Sequence, residues 1–469
     1  MFQGIDIDLN VDTSKYTAGK DRYMEFKPKR VFNSSAEYGY RSGDASVRFV
    51  TQYMNMLLKN YTNPTPTLYA YDTDFKTSRY TNSLTFQNKL NDRLAFELVG
   101  AYTYYGRQTD NVLSDLAALE HTLTGNTLTV FHNGMSRGSL IYEKPGSKLS
   151  GRIGYDINYD YGTGDKLAKN AQMGDFAGFV STQYDPLKWL SIQPGLRFIY
   201  NTVYGAPIIP SVNVQWTIFT GTSLRASYAK GFRAPGLKEL YIDFKDSNHN
   251  IEGNKNLKAE KSDSYNLSIS STFGKSKHLF KIEPSFYLNN GTDAITMIVT
   301  DTEANAATNV NLGGRRTLGT DVKFTYMHTS GLTVGLGYSK TGETYDYLGN
   351  DNYIPIVYYD NYLINFKYNL RKFKTVFNAN FKYYGITPAI AMNENTSEYY
   401  QVYTEAYTDV EATVTKLFWK DKISVVIGGK NLMNNYSRRT YGYIDSADDR
   451  LSPLNFGRTF FVKLNFSIL

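Results

Sequence analysis

The chain has 469 residues and a formal net charge of +7, and 15% of it is aromatic, with 41 tyrosines against 3 tryptophans. It has no cysteine, which excludes a disulfide framework, a thiolate metal site and a cysteine nucleophile. Mean hydropathy is −0.42 and no apolar run of about 20 residues occurs, so no helix is expected to cross a membrane. A barrel is not excluded, because only one residue in two of its strands faces lipid. Basic and acidic residues are interspersed, which argues against nucleic acid as a partner. No His-Glu-x-x-His, Gly-x-Ser-x-Gly or Gly-x-x-x-x-Gly-Lys motif is found, so no enzyme is expected, although a barrel can also assemble a site from facing strands.

In chain order, Met1-Phe2-Gln3-Gly4-Ile5-Asp6 carries neither the charged nor the apolar region of a signal peptide. Ile5, Ile7 and Leu9 alternate with Asp6, Asp8 and Asn10, so a strand is expected almost at once. Segment 112–140, with His121 and His132, interrupts the alternation and is expected to be an external loop with its own hairpin. Two histidines eleven apart are weak evidence for a metal. Asp185-Pro186-Leu187-Lys188 is a short turn, and Leu224, Ala226 and Tyr228 then oppose Arg225 and Ser227.

His278, beside Lys277 in a turn, and His328, at a strand end, are expected to be surface residues. Further strands follow. Leu318, Thr320, Val322, Phe324 and Tyr326 oppose Asp321, Lys323 and Thr325; Ile364, Phe366, Tyr368 and Leu370 oppose Asn365, Lys367 and Asn369; Phe377, Ala379, Phe381 and Tyr383 oppose Asn378, Asn380 and Lys382. Short breaks such as Asn369-Leu370-Arg371-Lys372 alternate with long polar loops such as 386–404. At the end, Phe460, Val462, Leu464, Phe466 and Ile468 oppose Thr459, Phe461, Lys463, Asn465 and Ser467. About twenty strands of the length a tilted membrane strand needs are expected, in a large all-β antiparallel transmembrane barrel. A soluble sandwich is the rival, but its strands average about 5 to 6 residues and its inward face does not carry charge repeatedly.

Two boxes carry a resemblance to a known family. Residues Ala226-Ser227-Tyr228-Ala229-Lys230-Gly231-Phe232-Arg233-Ala234-Pro235-Gly236-Leu237-Lys238-Glu239-Leu240-Tyr241 resemble the first box of TonB-dependent outer-membrane receptors, with Phe232, Arg233, Ala234 and Pro235 at its centre. Gly253-Asn254-Lys255-Asn256-Leu257-Lys258-Ala259-Glu260-Lys261-Ser262 resembles the second, through Asn254, Asn256 and Leu257. Lys255 and Ala259 stand where that box usually has prolines. Gly429-Lys430-Asn431-Leu432-Met433-Asn434-Asn435 is similar to the family's penultimate-strand signature, and Gly457-Arg458-Thr459-Phe460-Phe461 to its last strand, which commonly ends in an aromatic residue. The likeness is specific from about residue 180 onward, and the tyrosine-rich style is similar to receptors of the Bacteroidota.

The resemblance implies a 22-stranded barrel filled by a plug domain. Neither plug nor signal peptide is found in residues 1–469, so the chain is expected to be the barrel domain of a longer product. It implies import of a scarce metal chelate, haem or a ferric siderophore, with energy from the TonB system. Cobalamin or another nutrient is the alternative, with a passive pore or barrel enzyme behind. Implied partners are the lipid bilayer with its lipopolysaccharide, the TonB complex through the plug, the barrel assembly machinery and a surface lipoprotein.

No intrinsic cofactor is expected; haem would be cargo. His249 lies between the boxes, where haem receptors of the family carry an axial histidine, and Tyr241 and Phe244 are placed to flank the macrocycle. Asp243 and Asp246, with Asn248, Asn250 and Glu252, offer oxygen ligands to calcium, in no EF-hand spacing. Arg233 and Glu239 are expected to hold a loop against the wall rather than to touch cargo.

Overall fold

The computed structural model describes the chain except residues 1, 12–21, 23–26, 168–170, 247–248, 302–305, 347–355, 393–398, 443–449, 455–456 and 467–469. Period-two sequence, rich in β-branched and aromatic residues, becomes strand throughout. The described residues form one 22-stranded sheet and one 4-stranded sheet, with a single short α-helix, Leu237–Tyr241. Within the large sheet the wall is an antiparallel meander that runs in chain order from Phe2–Val11 to Thr459–Phe466. Its remaining two strands, Asp243–Asp246 and His249–Glu252, are a hairpin, and the second pairs in parallel with Ala306–His328. Among the described residues no ladder joins Phe2–Val11 to Thr459–Phe466.

The expected alternation of short and long connections is observed. One end of the wall carries tight turns, at 43–44, 188–189, 220–221 and 276–277 among others, while the opposite end carries the longer segments. Left-handed residues cluster in the tight turns: Gly43, Gly221, Ser276 and Lys374 have φ of 56°, 85°, 59° and 48°. At Gly221 a side chain is also barred by space, since a Cβ would lie 2.5 Å from the Thr272 carbonyl oxygen.

Face exposure separates barrel from sandwich. On the last strand Phe460, Val462, Leu464 and Phe466 are 73%, 66%, 57% and 67% exposed, where a sandwich would bury them. Ile468 lies outside the described residues. The opposite face carries the charges, as in the Arg137–Asp156–Arg197 cluster, with contacts of 2.5 and 2.9 Å, and the Arg152–Glu97 pair at 3.0 Å. That face is the lumen.

Two aromatic belts bound the apolar face. All three tryptophans sit at the tight-turn end, with Trp189 and Trp216 6.0 Å apart. Nearer the other end, Phe32, Tyr53, Tyr80, Tyr104, His132 and Tyr161 form a ring-to-ring ladder across six neighbouring strands, with centroids 4.7 to 6.1 Å apart. From Trp189 to Tyr200 the strand runs about 36 Å, which a tilt of about 45° reduces to about 25 Å, the height of an outer-membrane apolar band. His132, expected in an external loop, thus belongs to the lipid-side belt.

Two loop expectations are corrected. Segment 112–140 does turn as a hairpin but is not a loop: it comprises the end of Leu94–Asp115 (22 residues), the connection 116–119 and most of Glu120–Glu143 (24 residues), two strands of the wall. The ladder continues beyond the bilayer, where both faces meet water and the apolar alternation lapses. Segment 386–404 contains the strands Thr387–Met392 and Tyr399–Thr404, a hairpin of the small sheet; 393–398 lie outside the described residues. Many strands also exceed the expected length. About 24 residues at about 3.3 Å and about 40° tilt reach about 60 Å, so the walls stand well above the lipid.

The penultimate-strand signature is a turn lock. Asn431 is buried and left-handed, its Nδ2 donates to the Asn435 carbonyl at 2.8 Å, and its Oδ1 accepts from the Asn435 amide at 3.0 Å. The Arg458 amide donates to Asn434 Oδ1 at 2.9 Å, which fixes where the final strand begins.

A cation on the lipid face at mid-band costs about 2 to 4 kcal/mol. Leu196→Lys is expected to lower the yield of heat-modifiable, assembled barrel on semi-native gels, whereas Gln193→Ala, on the luminal face, is expected to leave it unchanged.

Candidate functional site

The segment between the boxes leaves the wall at Arg233 and returns at Glu260. Arg233 is the hinge of that excursion. Its Nη1 donates to both carboxylate oxygens of Glu239 at 3.1 and 2.9 Å, and its Nε to Glu260 at 2.5 Å. One guanidinium therefore ties the short helix to the next wall strand in a forked geometry that lysine cannot copy. Glu239 also accepts from the Gly236 amide at 2.6 Å, and Glu260 from the Ile295 amide at 2.6 Å.

The helix turns Leu237 and Leu240 into a buried cluster with Ala171, Met173 and Leu257. Ala234, Tyr204 and Tyr241 pack against it, and Pro235 is fully buried. Burial, with Tyr241 and Glu239 nearby, pushes the Tyr204 phenol above its ordinary range. Gly253 lets the chain cross directly over the helix, since a Cβ there would lie 2.6 Å from the Leu240 carbonyl carbon.

The second box is fastened from the other side. Asn254 Nδ2 donates to the Asn309 carbonyl at 2.9 Å, and its Oδ1 accepts from the Asn256 amide at 2.9 Å. Asn311 accepts from the Lys258 amide at 2.7 Å and donates to the Lys258 carbonyl at 3.0 Å. The asparagines serve as backbone mimics that a meander cannot supply where the chain leaves it.

Of the residues singled out for binding, Tyr241 is packed on the helix cluster with Lys255 Nζ 5.9 Å from its ring centroid. The His249 backbone pairs with Asp246 beside the hairpin turn. The side chains of His249, Phe244 and Asp246, and all of Asn248, lie outside the described residues. Asp243 is exposed, and among the described residues no three His, Cys, Asp or Glu side chains gather into a metal-binding group. His278 and His328 pair across neighbouring strands beside a tight turn, 4.8 Å between rings.

Two features escape sequence reading. Arg22, buried, pairs with Asp72 at 2.7 Å; Asp72 also accepts from Ser114, whose Oγ is 2.9 Å from His121 Nδ1. On the luminal face, Phe75, Tyr105, Arg107, Thr129 and Phe131 from three adjacent strands face Lys166, Leu167, Lys238 and Ile242 across a cavity of about 150 Å³. An isolated bridge from Leu167 to Ile242 and a 3.1 Å bond from the Asp243 amide to the Lys166 carbonyl close it on the box side.

A family model described as TonB dependent receptor-like, beta-barrel matches residues 14–432. The chain belongs to the TonB-dependent receptors. The receptor is similar in fold to the FrpB iron transporter of Neisseria meningitidis, with 12% identity, a TM-score of 0.69, and 98% of this chain and 77% of that one covered. It is likewise similar to the siderophore receptor PirA of Pseudomonas aeruginosa, with 15% identity, a TM-score of 0.62, and 99% and 80% covered. The outer membrane transporter YddB of Escherichia coli matches with 11% identity, a TM-score of 0.65, and 93% and 68% covered. No curated protein matches by sequence. The receptor is thus an outer-membrane, TonB-dependent transport protein.

Removing the forked cation leaves two carboxylates facing each other across the hinge. Arg233→Met is expected to make 234–259 sensitive to external protease in whole cells while the barrel stays heat-modifiable; equal protection in variant and wild type would show that the hinge is held by other contacts.

Proposed function

We propose that this receptor imports a metal chelate, an iron chelate first, across the outer membrane with energy delivered through TonB. The observation that carries this is the box segment, which folds inward from the long-loop end and is braced on the luminal side by Arg233 and by the Asn254 and Asn311 amides. A rigid, polar, partly cationic surface at the outer mouth suits capture of a charged chelate before passage. Proteins of similar fold support a metal cargo: beside FrpB and PirA, they include a ferric enterobactin receptor and the copper transporter OprC.

Haem is the specific variant that rests on His249, whose backbone sits at the turn end of the inter-box hairpin. Neutral imidazole is a haem-iron ligand. Cobalamin is the alternative cargo, by the same mechanism.

The test is uptake of radioactive iron, supplied as haem or as ferric siderophores, by a host lacking its own receptors and carrying the full-length gene product. Uptake is expected to saturate and to stop when TonB is deleted. TonB-independent leakage of small solutes instead would contradict active import. For haem, His249→Ala is expected to change the Soret band and weaken binding; an unaltered band and affinity would remove haem ligation.

A further inference from the structure

We propose that Lys275, His278 and His328, a lipid-facing rung at the tight-turn end of the wall, form a seat for the phosphate of an anionic phospholipid in the periplasmic leaflet. The inference is independent of the cargo, because it concerns the outside of the barrel.

Strand register builds the seat. Lys275 pairs with His278 and His278 with His328, so the three side chains stand in a row on one face of three neighbouring strands. The same alternation puts Phe273, Phe280 and Tyr326 on the next rung toward mid-bilayer, with ring centroids 5.6 and 5.1 Å apart. Ile282 and Phe286, 37% and 55% exposed, continue that face into the apolar band. A polar row just outside an aromatic row lies at the level of the headgroup phosphates.

Hydrogen bonding decides what the imidazoles offer. The Ser330 amide donates to His328 Nδ1 at 3.2 Å, and the Ser330 hydroxyl lies 2.7 Å from the same nitrogen. An amide N–H only donates, so the ring proton of neutral His328 is on Nε2. That nitrogen is then a donor whether the ring is neutral or charged, and it has no lone pair for a metal. His278 Nδ1 is held 2.8 Å from the Tyr326 hydroxyl, and the two imidazole rings are 4.8 Å apart. Ring N–H groups beside an ammonium suit an oxygen anion.

The charge around the rung has one sign. Glu283 and Asp321, the acids of these strands nearest the turns, lie on the luminal face, where Glu283 pairs with Lys281 at 2.6 Å. Among the described residues neither Lys275 nor Lys277 has an ion pair. The later turns Arg371-Lys372-Phe373-Lys374 and Trp419-Lys420-Asp421-Lys422 contain a single acid, Asp421, which Lys374 engages at 2.8 Å. Lysine stems lie along an apolar rim while their ammonium groups reach the phosphates, and a basic cluster at a membrane surface selects anionic lipid.

The experiment uses the full-length receptor, otherwise free of cysteine, with bimane on Thr329→Cys, in phosphatidylcholine nanodiscs. Phosphatidylglycerol or phosphatidylcholine bearing a nitroxide high on the acyl chain is added in increasing share. Phosphatidylglycerol is expected to reach half-quenching at about one-tenth of the mole fraction that phosphatidylcholine needs. The triple variant Lys275→Gln, His278→Gln, His328→Gln is expected to erase that difference, while Lys144→Gln, at another tight turn, keeps it. Heat-modifiability shows that each variant is assembled; if the triple variant is not, His328→Gln alone is read, with the preference expected to fall about threefold. Equal quenching by the two lipids in wild type, or a preference that the variants retain in full, would overturn the seat. Relief of quenching by inorganic phosphate would also overturn it, by making it a site for the free anion, and relief by zinc ion would make it a metal site instead.

Discussion

Every backbone amide inside hydrocarbon must find a partner in the protein, and that constraint organises this molecule more than any contact between side chains. Ladder hydrogen bonds between chain neighbours meet it, and each strand then has one face for lipid and one for the lumen. The lipid face needs only apolarity and two aromatic belts, so it tolerates a loose mixture of Phe, Leu, Ile, Val and Tyr. The luminal face is released from the demands of a dry core, which is why ion pairs such as Arg152–Glu97 recur at mid-strand. Mean hydropathy stays low although the protein lives in a membrane.

Where the chain leaves the meander, the backbone needs other partners, and there the sequence becomes specific. Arg233, Glu239 and Glu260 anchor one end of the inter-box segment, and the amides of Asn254 and Asn311 anchor the other. Asn431 and Asn435 repeat the solution before the last strand. These motifs supply hydrogen-bond partners at departures from a ladder, and this accounts for their residue types without recourse to cargo. A braced segment also explains how a short helix far from its neighbours in sequence can roof a luminal cavity.

The last strand was legible because all of Thr459–Phe466 alternates within the apolar zone, and the two short breaks, Asp185–Lys188 and Asn369–Lys372, were legible to within a few residues of the turns at 188–189 and 371–374. The outer halves of Leu94–Asp115 and Glu120–Glu143 were not, because above the lipid both faces are wet and a ladder persists without an apolar signature. The boxes could be located, but not the cavity beneath them. Phe75, Arg107, Phe131 and Lys238 are neighbours only through strand register and the inward fold of the box segment, and neither is written in local pattern. Arg22 was hidden for the same reason, since its partner Asp72 is 50 residues away.

Because the chain has no cysteine, single cysteines can be introduced along Leu190–Asn201 and carry nitroxide labels in liposomes. Labels at 196, 198 and 200 are expected to be accessible to oxygen dissolved in the bilayer, and labels at 195, 197 and 199 to a water-soluble nickel chelate, in strict alternation. Uniform access to the aqueous reagent at all six positions would contradict a strand that divides lipid from lumen.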